Sequence, residues 1–92
     1  MVKKAKKIKE TPIVYRKLGR ELAAGIAHWN DHSGETTIEI DSRLTGKELL
    51  DTLIHEILHL QNPSWSEKKI AKHSRELSEI IWLQGFRKTE LK

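Results

Sequence analysis

Apolar residues at positions 49, 50, 53, 54, 57, 58 and 60 recur at intervals of three and four, which gathers them on one stripe of an α-helix. Thr45 stands ahead of the stripe with Glu48 three residues on, a T-x-x-E capping box. Asn62-Pro63 ends the pattern, because the residue before a proline is driven out of helical geometry. A helix over 46–61 follows. Ser64 and Glu67 form a second S-x-x-E box, after which Ile70, Ser74, Leu77, Ile80 and Ile81 repeat at helical spacing as far as Gly85. Gly85 followed by Phe86 has the form of a left-handed C-terminal cap with its apolar contact. So short a connection makes the two helices antiparallel.

Before the helices the period drops to two. Ile38 and Ile40 alternate with Thr37, Glu39 and Asp41, giving a strand with one buried and one wet face. Asp31-His32-Ser33-Gly34 are turn formers separating this strand from residues 26–30, so the two pair as an antiparallel hairpin. Ile13-Val14-Tyr15 reads as a further short strand, and residues 17–25 stay open between a helical turn and a strand. The fold class expected is α+β: a small antiparallel β-hairpin or sheet packed on two antiparallel helices.

A chain of 92 residues holds one hydrophobic core, so a single domain without a separate substrate-binding subdomain is expected. The absence of cysteine rules out disulfides and thiolate metal sites. No apolar stretch approaches the roughly 18 residues of a membrane span, and no secretory leader is recognisable, so a cytoplasmic location is expected. The net charge of +4 belongs to residues 1–10, where Lys3, Lys4, Lys6, Lys7 and Lys9 face only Glu10. This segment reads as a disordered basic tail ahead of a single domain over 11–92. Weak contact with nucleic acid through the tail is one use for it, though no aromatic is interleaved to stack on bases.

The candidate chemistry lies inside the first helix, in His55-Glu56-Ile57-Leu58-His59. Residues four apart share a helix face, so the two imidazoles can converge on one divalent cation, and zinc suits two nitrogen ligands and an oxygen. Glu56 follows the first histidine directly and is placed to act as general base on a zinc-bound water. A hydrolytic zinc takes a third protein ligand, for which the second helix offers Glu67, His73 and, further along, Glu76. Spacing leaves Glu67 and His73 both in reach, with Glu67 placed first. His28, His32 and Tyr15 are the oxyanion-stabilising candidates, although nothing in the spacing brings them to the metal; Trp65 and Trp82 read as packing residues at the helix ends.

The order of hairpin, H-E-x-x-H helix and ligand-bearing second helix resembles the minimal core of the zincin metallopeptidases. Residues 36–88 resemble short metallopeptidase-like proteins of bacteria and their phages. In gluzincin-type relatives the third ligand is a glutamate opening the next helix, which Glu67-Lys68-Lys69-Ile70-Ala71 matches loosely. In SprT-like relatives it is a histidine further down, for which His73 stands at a suitable interval. Ala71 and Leu77 occupy positions where the two patterns carry other residues. The resemblance implies a zinc-dependent peptidase with Glu56 as catalytic base, His55, His59 and Glu67 as metal ligands, and a peptide or protein substrate. An extended substrate would add to the outer strand of the hairpin, either 26–30 or 36–41. The alternative is a non-catalytic binding or regulatory module in which zinc crosslinks two helices of a thin core.

Overall fold

The computed structural model describes residues 10–19, 24–30 and 32–89; all but the last residue of the basic tail, and residues 20–23 of the open segment 17–25, lie outside these. Strands β1 (Ile13–Arg16), β2 (Gly25–Trp29) and β3 (Thr36–Asp41) precede helices α1 (Gly46–Gln61) and α2 (Glu67–Leu83). The expected α+β class is realised as a three-stranded sheet, with α1 lying across its inner face and α2 packed on α1. The helices are antiparallel: Lys47 at the start of α1 pairs with Glu79 near the end of α2, and Ser78 bonds Asp51.

The hairpin of β2 and β3 forms as the alternating pattern demands, with Ala27 opposite Ile38 and Gly25 opposite Ile40. Its turn is tied by Asn30, whose side-chain oxygen accepts from the His32 and Ser33 amides, and Gly34 sits at φ +76°. β1 joins the other edge of β3 in parallel, Ile13 against Ile38, so the sheet is mixed and its order is β1-β3-β2. This position corrects one expectation. Residues 36–41 form the central strand, whose two edges are both paired, so of the two hairpin strands only β2 keeps an edge unpaired among the described residues.

Ile38 and Ile40 project inward and form the core with Leu60, flanked by Ala27, Leu44, Leu49, Leu53 and Ile57. Fully burying such a side chain stabilises by about 1.5–3 kcal/mol, so the alternation along β3 sets the register of the whole sheet against α1. Asp41 closes β3 by accepting from the backbone amide, Nε and Nη2 of Arg43, whose Nη2 also reaches the Leu18 carbonyl at 2.9 Å. These bonds hold the Asp41 carboxyl below its ordinary range and join the segment after β1 to the lead-in of α1.

Two capping boxes are not used as the sequence suggests. Thr45 is the N-cap of α1 but makes no side-chain cap bond, and Gly46 enters the helix at φ +61°. α2 begins at Glu67 with Ser66, not Ser64, as its N-cap: the Ser66 hydroxyl accepts from the Lys69 amide at 3.1 Å. Glu67 therefore occupies the first helical position and has no capping work to do. The inward stripe of α2 also shifts. Ile70, Ser74 and Ser78 are buried, whereas Leu77 and Ile80 of the expected stripe face outward. Among the described elements α2 packs only on α1, so a single i, i+4 row suffices, and its small serines bring the helices close while donating to the Ala71 and Arg75 carbonyls. Gly85 takes the left-handed C-terminal turn at φ +92°, but Phe86 stays largely exposed.

Candidate metal centre

One turn of α1 separates His55 from His59, and both rings point toward the start of α2, with centroids 5.0 Å apart. The turn at Asn62-Pro63 reverses the chain within a few residues, which sets Glu67 level with them. Its carboxylate divides between the two rings: Oε2 lies 2.7 Å from His55 Nε2 and Oε1 lies 2.8 Å from His59 Nε2. One ligand atom from each of the three residues falls within 4.8 Å of the others. On a tetrahedral zinc with bonds near 2.0–2.2 Å, neighbouring ligand atoms stand roughly 3.4 Å apart. The two carboxylate–imidazole contacts therefore need to open only slightly to admit the ion, and the two imidazoles and one carboxylate match zinc's usual donors. Against an exposed Glu67 the histidines are about a fifth to a third exposed, so the centre is walled by protein on one side and faces water on the other.

Glu56 lines the same groove as that cluster without being one of its three ligands. It is buried between α1 and the start of β2, and burial pushes its carboxyl pKa up, with the nearby Glu67 charge adding to the rise and the two histidines opposing it. A carboxylate held in this way binds a proton more readily than an exposed one, as a general base requires.

A groove of about 760 Å³ runs past the triad, with Gly25, Ala27 and Trp29 of β2 on one wall and Leu60 and Pro63 on the other. The β2 ladder to β3 passes through Ala24 and Asn30, whose backbone atoms bond Asp41 and Glu35. By the alternation of an antiparallel pair, the peptide groups of Gly25, Ala27 and Trp29 then face the open edge, over the groove. Beside it a smaller recess of about 320 Å³ is lined by Asp51, Thr52, His55, Glu56 and Glu67.

The other candidates are placed elsewhere. His73 stacks on Trp65, ring centroids 4.8 Å apart, and Glu76 pairs with Lys72 on the outer face of α2. Among the three candidates for a third ligand, the fold brings only Glu67 to the histidines. His28 sits on the wet face of the sheet, 3.6 Å from Glu39; His32 is in the exposed turn; Tyr15 lies on β1, away from the groove. None of these three lines the centre.

Compared with known proteins, the chain matches no family model, no curated protein and no solved structure. The geometry therefore carries the functional reading alone.

The residue that sequence reasoning passed over is Gly25. A Cβ there would stand 2.9 Å from Thr52 Cγ2 and 3.0 Å from Glu56 Cγ, so only glycine lets β2 come this close to α1. The signal was present, since a glycine at a strand start marks a close backbone approach. It fell within the segment that pattern alone left open.

Proposed function

We propose that this protein is a zinc-dependent peptidase whose metal is held by His55, His59 and Glu67. The observation that carries the reading is the convergence of those three ligand atoms, with a buried fourth residue, Glu56, beside them and outside the set. A purely structural site has no use for a carboxylate held apart in this way. Zinc bound there supplies a Lewis acid that polarises a carbonyl and acidifies water. Glu56 takes the proton of the attacking water and returns it to the departing amine nitrogen. The open edge of β2 pairs with the backbone of an extended peptide and holds its scissile bond over the groove. The apolar walls at Trp29, Leu60 and Pro63 favour apolar side chains beside that bond.

The test is elemental analysis followed by cleavage of a peptide mixture by the zinc-loaded protein and by Glu56→Gln. The proposal expects one zinc per chain in both proteins and a loss of cleavage of about 10²-fold or more in the variant. Equal cleavage by both, or none by the parent, counts against it.

A further inference from the structure

On the far side of α1 from the metal centre, a second cavity of about 480 Å³ opens beside β1. Its floor is apolar, formed by Leu49, Leu50, Leu53 and Trp82. The left-handed turn at Gly85 folds the chain back, so Arg87 stacks on the Trp82 ring at 3.4 Å and Lys88 stands 5.1 Å above the Tyr15 ring. Two cations thus rim an apolar hole. A volume in this range, mostly apolar with a few convergent polar groups, is the ordinary form of a binding site.

The wall next to it is an open strand. Among the described residues nothing pairs with the outer edge of β1. The carbonyls of Pro12 and Arg16 accept from Ile38 and Ser42, so the ladder to β3 uses the even-numbered residues. The peptide groups of Ile13 and Tyr15 consequently face away from the sheet. Ile13, Val14 and Tyr15 are each about 40% exposed, so this edge is apolar as well as unpaired. Such an edge recruits another strand unless it is blunted.

We infer that β1 and this cavity form a docking site for an extended, acidic segment of a partner protein, which adds as a strand to β1 and drops an apolar side chain beside Tyr15. The backbone supplies the pairing, the cavity takes the side chain on the inner face, and Arg87 and Lys88 select for aspartate or glutamate next to it. The same cations argue against a second copy of this chain. Self-pairing of β1 would set Lys88, which stands over the Tyr15 ring, close to the same cation of the other copy. The inference does not depend on the metal centre.

The experiment is an NMR titration of the full ¹⁵N-labelled chain with a blocked hexapeptide of valine and phenylalanine flanked by aspartates. Shifts at Ile13, Tyr15 and the Trp82 indole are expected. N-methylation of alternate peptide amides should abolish them, a control that leaves the protein untouched. The double variant Arg87→Glu, Lys88→Glu should weaken the acidic peptide about tenfold and prefer one carrying lysines. Absence of shifts at β1, or shifts indifferent to N-methylation and charge reversal, overturns the inference. So does occupation of the cavity by dodecanoate where the peptide has no effect, or concentration-dependent shifts at β1 without peptide, which would assign the edge to a small amphiphile or to a second copy.

Discussion

A methyl group on Gly25 would stand 3.0 Å from Glu56 Cγ, so the strand that borders the groove is in contact with the proposed base. Gly25→Ala should push β2 and Glu56 apart. Overpacking of this kind costs about 1–3 kcal/mol, and a base displaced by about an ångström loses roughly 10²-fold in rate. The measurement is a urea melt beside a cleavage assay at saturating zinc. Metal content should be unchanged, which separates a displaced base from a lost ion.

Removing ligands should sort the three candidates. His55→Ala and Glu67→Ala should lose tight zinc binding, whereas His73→Ala should keep one zinc per chain, because its ring is occupied in stacking on Trp65. At a free zinc concentration a hundred times its Kd, the parent should gain about 2.7 kcal/mol of stability, read as a rise in melting temperature. That rise should vanish in His55→Ala and persist in His73→Ala. The opposite result would move the third ligand.

The two helix starts should respond differently to the loss of a hydroxyl. Ser66→Ala removes the bond to the Lys69 amide and should cost about 1 kcal/mol. Thr45→Ala removes no cap bond and should leave the urea midpoint nearly unchanged. Ser66→Ala should also loosen zinc binding, since Glu67 is the next residue.

Acid should act through Asp41. Its partner Arg43 lowers its pKa from the ordinary 3.8, so the folded state holds the charged form more firmly than the unfolded chain does. That stabilisation is present in full above the unfolded value and fades as pH falls below it. Asp41→Asn should therefore be less stable than the parent near pH 6, and the gap should narrow progressively as pH falls below about 4. Urea midpoints across that range decide it; a gap that widens on acidification would contradict the assigned pairing.

Local order was legible from the chain alone wherever a short-range period governs it. A helix over about 46–61 is legible in the chain and matches α1, because a proline, a turn and a 3.6-residue stripe act within a few positions. The hairpin and the His55, His59 pair followed for the same reason: period two and a four-residue offset are properties of the backbone. The capping assignments went wrong by a small margin with a large effect. Both serines precede the second helix, and only the path of the turn decides that Ser66 caps it and Glu67 is free.

The tertiary structure decided everything that depends on how elements approach one another. Glu67 and His73 were equivalent in spacing until the reversal at Pro63 put one opposite the histidines and the other against Trp65. Which strand is central, why Gly25 has no side chain, and which row of α2 is buried all follow from the close packing of α1 between the sheet and α2. Periodicity encodes which face of an element is apolar. It does not encode the rotation and separation at which two faces meet, because those are set by side chains far apart in sequence filling the same space.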